Sequence, residues 1–63
     1  MYKMIEVVGI SPTGFSEAVE NAVNKLAESG KKMDFLQVIE HRGLIIDGKV
    51  KEFQVIVKIA VKA

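Results

Sequence analysis

Four side chains in this sequence have the chemistry to recognise a flat, polar molecule without reacting with it: Phe35, His41, Arg42 and Gln54. An aromatic ring offers a stacking surface. A primary amide offers N–H donors and a carbonyl acceptor in one plane, the complement of a pyrimidine edge. A guanidinium orients phosphate or carbonyl groups, and an imidazole titrates near neutral pH. Groups that make and break bonds are scarce. The chain has no cysteine and one histidine, which removes every thiolate metal site and disfavours zinc. No Ser/His/Asp or Cys/His arrangement is present, and helical spacing forces no carboxylates together. Asp47-Gly48 lacks the alternating acidic spacing of a calcium loop. The inventory points to binding, and an enzyme is not expected.

Each of these residues also has a plainer reading. Phe35 is equally suited to subunit packing and Gln54 to a cross-subunit hydrogen bond. His41 suits an ordinary surface or interface position. Arg42 suits an ion pair with Glu40, Glu52 or Glu6. Lys3, Lys58 and Lys62 have the charge to meet a phosphate, but solvated lysines along strand edges are the default.

The elements that must position these groups are few. Sixty-three residues make a single domain, 1–63. Domains of this size bury only about 60% of the surface of the unfolded chain. They usually gain stability from disulfides, a metal or association. With no cysteine, association is the expected route. Nine basic and eight acidic residues give a net charge of +1, with no basic run beyond Lys31-Lys32, so a nucleic-acid partner is not expected. The apolar stretches fall short of the roughly 20 residues needed to cross a bilayer, and no signal-peptide pattern opens the chain. A cytoplasmic protein is expected, with neither a membrane nor a nucleic acid as partner.

Tyr2 to Val8 reads as a strand, and Gly9 to Gly14 as a connection in which Ser11 or Thr13 is placed to cap a helix. Over residues 15 to 28, Ala18, Val19, Ala22, Val23 and Leu26 form one apolar helical stripe. Gly30 suits a left-handed stop. Residues 33–46 and 49–62 read as two long strands joined by Asp47-Gly48, a strong type I′ hairpin signal. The order is β-α-β-β. The third strand is the most continuously apolar and belongs in the centre. The fold class is therefore α+β, a three-stranded antiparallel sheet of order 1-3-2 packed on one helix.

A tight turn at Asp47-Gly48 sets a register in which Leu44 faces Lys51, His41 faces Gln54, Val38 faces Val57 and Leu36 faces Ile59. Paired residues share a sheet face. Leu36, Val38, Leu44, Ile46, Phe53, Val55, Val57, Ile59 and Val61 then form the face beneath the helix. Phe35, Gln37, Ile39, His41, Gln54, Ile56, Lys58 and Ala60 form an open face, mixed in polarity. Arg42 falls on the helix side unless a bulge moves it.

Three segments, in this order and spacing, resemble the dodecins, small flavoproteins that assemble as hollow dodecamers. They are Tyr2-Lys3-Met4-Ile5-Glu6-Val7-Val8-Gly9-Ile10-Ser11-Pro12-Thr13, Asp34-Phe35-Leu36-Gln37-Val38-Ile39-Glu40-His41-Arg42-Gly43 and Val50-Lys51-Glu52-Phe53-Gln54-Val55. The resemblance covers essentially the whole chain. It implies a sheet wrapped around one helix, and flavins (FMN or riboflavin) bound in pairs at subunit contacts, between tryptophans of two subunits. It implies a role in flavin storage or buffering. Gln54 matches the family's glutamine, which hydrogen-bonds the ring edge, and Arg42 matches an arginine near the flavin in bacterial members. The stacking tryptophan falls at Phe35, and the chain has no tryptophan. Some relatives are said to bind calcium instead. The alternative expectation is therefore a dodecin-like shell without flavin, serving a structural role or storing calcium or another small ligand.

Overall fold

The computed structural model describes residues 1–62. Its elements run β1 (Tyr2–Ser11), α1 (Phe15–Ala27), β2 (Met33–Ile46) and β3 (Lys49–Lys62). The three strands form one antiparallel sheet in the order β1-β3-β2. The expected fold class and strand order are both present. Asp47 at φ 54° and Gly48 at φ 75° build the tight turn, with Ile46 opposite Lys49. Gly30 at φ 77° ends the helix region as its type requires.

The helix packs its small residues onto the centre of the sheet. Ala18 and Ala22 are fully buried against Val55, Val57, Ile59 and Val61. Ile5, Val7, Val19, Val23, Leu26 and Leu36 close the margins of this core. The chain here comes closer to the helix than a side chain allows. A Cβ on Gly9 would lie 2.0 Å from the Ala18 carbonyl oxygen and 2.8 Å from the Ala22 Cβ. For that reason β1 does not stop at Val8. Gly9 remains in the strand opposite Val55, and pairing continues to Ser11 opposite Phe53.

The expected helix cap is different. The helix starts after Gly14 with no side-chain cap bond. Ser11 is fully buried. Its Oγ accepts the Thr13 backbone N–H and donates to Glu17 Oε1, both at 3.0 Å. A hydroxyl has one proton, so the 3.0 Å contact with Thr13 Oγ1 is donated by Thr13. Ser11 and Thr13 thus fasten the loop to the first helical turn through Glu17. Further along, Asn21 Nδ2 donates to the Ile10 carbonyl (2.8 Å) and Lys25 Nζ to the Val8 carbonyl (3.3 Å). The helix in this way occupies acceptors along the outer edge of β1, which would otherwise be open to strand addition.

Thirteen helical residues span about 20 Å, whereas the 14-residue strands span about 46 Å. The molecule is accordingly a slab of 45 × 20 × 13 Å. One sheet face has no covering layer among the described residues, and the hairpin overhangs the helix. Ile45 (66% exposed) and Val50 (51%) stand bare at its tip.

Three irregularities interrupt the pairing of β2 with β3, one at Asp34 near its open end and two nearer the turn. Lys51 is an extra residue on β3 between the pairs Leu44–Glu52 and Ile45–Val50, and Ile39 is an extra residue on β2 between Val38–Val57 and Glu40–Ile56. Because the two nearer the turn lie on opposite strands, their offsets cancel. Val38 still faces Val57 and Leu36 still faces Ile59, as the turn alone implies. From Glu40 to the turn the facing of β2 is inverted, and between the bulges Arg42 faces Gln54 and His41 faces Val55. The expected pairs His41–Gln54 and Leu44–Lys51 are therefore corrected: His41 moves to the helix side, and Arg42, Leu44 and Ile46 move to the open face.

Candidate ligand-binding face

The open face is built in rows across the three strands. Met4, Ala60 and Phe35 form one row; Glu6, Lys58 and Gln37 the next; Val8, Ile56 and Glu40 a third; Ile10, Gln54 and Arg42 a fourth. Leu44 and Glu52 follow toward the hairpin tip. Phe35 is 52% exposed and Ile10 44%. Polar groups therefore lie on a face that also carries bare apolar side chains, an arrangement for a partner or ligand that is apolar in body and polar at its rim.

Gln54 makes two side-chain hydrogen bonds on this face. Arg42 Nε donates to its Oε1 at 2.7 Å, and its Nε2 donates to Glu52 Oε2 at 2.7 Å. The bulges at Ile39 and Lys51 make this possible, since they carry Arg42 across to the row of Gln54. An amide has two N–H donors and two acceptor lone pairs. Two bonds leave one donor and one acceptor of Gln54 for something else.

Phe35 stands apart from this triad. Its strand partner Ala60 is six residues from Gln54 along β3, a separation of about 20 Å. Phe35 and Gln54 share a face, as the sequence indicates, but one protomer does not bring them to one spot. Around Phe35 the surroundings are aromatic and anionic. Tyr2 meets it edge-on, with ring centroids 5.4 Å apart. A hydrogen bond to Asp34, reinforced by that carboxylate's charge, pushes the Tyr2 phenol above its ordinary value of 10.0. Sequence reasoning did not single out Tyr2. The pairing of β1 with β3 is what could have found it, since this sets Tyr2 against Lys62, at the same end of the sheet as Phe35. A hollow of about 260 Å³ lies behind Phe35, between Val23 of the helix and Met33, Asp34, Leu36 and Ile59. It is smaller than most ligand pockets, and Gln54 takes no part in it.

His41 lies on the helix side of the sheet, away from Gln54. Its ring meets Phe15 edge-on at 5.1 Å, and Phe15 meets Phe53 in the same way at 5.0 Å. These three rings close the end of the core where the helix begins. Among the described residues no group of three or more His, Cys, Asp or Glu is placed to hold a metal ion. Among the described residues no helix is long and apolar enough to cross a membrane.

Comparison with known proteins agrees with the fold and its details. The family model named Dodecin matches residues 1–63. A dodecin of Thermus thermophilus is 34% identical over 59 residues, covering 94% of this chain and 86% of that protein. The structure of the dodecin from Streptomyces coelicolor superposes with a TM-score of 0.95 at 40% identity, over all of this chain and 90% of the other. A calcium dodecin of Mycobacterium tuberculosis, described as having a novel calcium-binding site, superposes at 0.86 with 26% identity, over all of this chain and 90% of the other. The chain belongs to the dodecin family.

Proposed function

We propose that this protein binds flavin, as FMN or riboflavin, without turning it over, and that it does so as a homo-oligomer, most simply a dodecamer. Phe35 stacks on the isoalloxazine, Gln54 hydrogen-bonds its pyrimidine edge, and Arg42 steadies Gln54 and the ring. The role is storage or buffering of the ligand in the cytoplasm.

The observation that carries this reading is the hydrogen-bonded Gln54 on an open apolar face, with one donor and one acceptor unspent. The roughly 20 Å between Gln54 and Phe35 exceeds the length of an isoalloxazine ring. The stacking and hydrogen-bonding groups of one site therefore come from different protomers. Binding then requires the assembly, and the exposed apolar side chains of the open face and hairpin tip are the surfaces that meet. Phe35 in place of the family's tryptophan retains an offset stack worth about 0.5–1.5 kcal/mol beyond area burial. It gives up indole area and the N–H. Each 1.4 kcal/mol lost is about tenfold in affinity, so binding weaker than in tryptophan-bearing relatives by about one to two orders of magnitude is expected. His41, on the helix side, contributes to a site only from a neighbouring protomer.

The test is titration of the assembled protein with FMN and with riboflavin, followed by ring fluorescence. Saturable binding supports the proposal, and absence of binding at high micromolar flavin rejects it. The calcium-binding relative motivates a second reading, a shell that holds calcium. No single protomer gathers three candidate ligands among the described residues, so calcium would sit where several protomers meet. Native mass spectrometry with and without chelator separates the two.

A further inference from the structure

We propose that Glu52 is a specificity-determining residue. With Arg42 it holds the Gln54 amide in one direction, so that the face accepts a lactam edge presented one way round. This rests on the flavin-binding reading above and concerns what sets the direction of its hydrogen bonds.

The argument comes from the two neighbours of Gln54. A guanidinium only donates hydrogen bonds, and an ionised carboxylate only accepts them. Arg42 Nε reaches Gln54 Oε1 at 2.7 Å, and Glu52 Oε2 is reached by Gln54 Nε2 at 2.7 Å. Turning the amide end for end would set its NH2 against the guanidinium and its carbonyl against the carboxylate. Both charge-assisted bonds would become repulsive contacts. A glutamine flanked by hydroxyls or water turns over freely; this one has a single allowed direction.

That direction defines the complement. The free N–H lies on the Glu52 side and the free lone pair on the Arg42 side. A matching ligand presents a carbonyl toward Glu52 and a ring N–H toward Arg42, the adjacent acceptor and donor of a cyclic imide or lactam. Glu52 itself is two residues before Gln54 on β3 and opposite Leu44 on the same face, so it acts through Gln54 as a positioning residue. Without Glu52, Gln54 could rotate away from this direction.

The experiment compares the wild-type protein with Glu52→Leu and Glu52→Gln, each confirmed as assembled by size exclusion. Each is titrated with riboflavin and with N3-methylriboflavin, which lacks the imide N–H. Glu52→Leu is expected to weaken riboflavin binding about tenfold and to leave N3-methylriboflavin unchanged, because the methylated ring does not use the amide. Glu52→Gln, whose Oε1 still accepts from Gln54, is expected to restore most of the riboflavin affinity. Equal affinity for riboflavin in Glu52→Leu and wild type overturns the proposal. So does a parallel loss for both ligands, which marks a general disturbance of the face. Wild-type protein that binds neither ligand overturns the flavin reading itself, and this proposal with it.

Discussion

At the scale of single residues, Phe35 separates binding from assembly. If it serves as the stacking platform, Phe35→Ala lowers flavin affinity by an order of magnitude or more and leaves the oligomer intact. A Phe35 that only glues subunits would instead fail to assemble on truncation, which size exclusion reads directly. Phe35→Trp is expected to tighten flavin by about tenfold, the equivalent of about 1.4 kcal/mol. Tyr2 offers a second test. It is the one tyrosine and the chain has no tryptophan, so phenolate absorbance reports Tyr2 alone. Its folded value is raised by the bond to Asp34 and by that carboxylate's charge. The folded state therefore holds the proton more tightly than the unfolded one. The resulting stabilisation is complete below pH 10 and is lost as pH rises through the folded value. Asp34→Asn should bring the phenol transition down toward 10 and shift the onset of alkaline destabilisation with it. An unmoved transition would show that Asp34 does not act on Tyr2. Much of this scale is legible in the sequence: Phe35 and Gln54 do share a face, and the chemistry of each follows from its type. The exchange of His41 and Arg42 is not, because it belongs to a change in the strands.

At the scale of elements, that change is the pair of bulges. A bulge inverts the facing of every side chain beyond it on its own strand; a bulge on the partner strand restores the pairing but not that facing. Here one lies on each strand, so the pairs on both sides, Ile46–Lys49 and Val38–Val57, obey the simple register while Glu40 to Leu44 do not. Turn chemistry cannot reveal this. One sequence signal points to it: the simple register sets charged Glu40 and Arg42 against Val55 and Phe53, on the face that must pack beneath the helix. Moving both to the open face relieves that conflict. The strand order, the hairpin turn and the helix were legible because Asp47-Gly48, the 3.6-residue apolar stripe and the apolar run of β3 are local signals. The length of β1 was not, since Gly9 reads as a loop residue until the helix is placed over it. Its Cβ would collide with a backbone oxygen, which cannot move aside as a flexible side chain could. Gly9→Ala is therefore expected to cost about 3 kcal/mol, seen as a lower midpoint in denaturant, whereas Ala at Gly14, where a Cβ meets nothing, should leave the midpoint nearly unchanged. A Gly9→Ala protein as stable as wild type would contradict the close approach of helix and strand.

At the scale of the whole molecule, a 13 Å thick slab with one uncovered face is what a chain of this length makes when it spends its single helix on one side. Dodecin kinship, the bare apolar side chains and the separation of Phe35 from Gln54 lead to the same arrangement. In the proposal the face is completed by other copies of the chain, and a flat ligand lies where they meet. The sequence shows that a face is left over. How copies would meet is a matter of surface shape, which pattern and composition do not encode. Native mass spectrometry of the protein, alone and with riboflavin, tests the arrangement most directly. The account expects a dodecamer that takes up flavin, with no flavin on any free protomer. A stable monomer, or a monomer that binds flavin by itself, would contradict it.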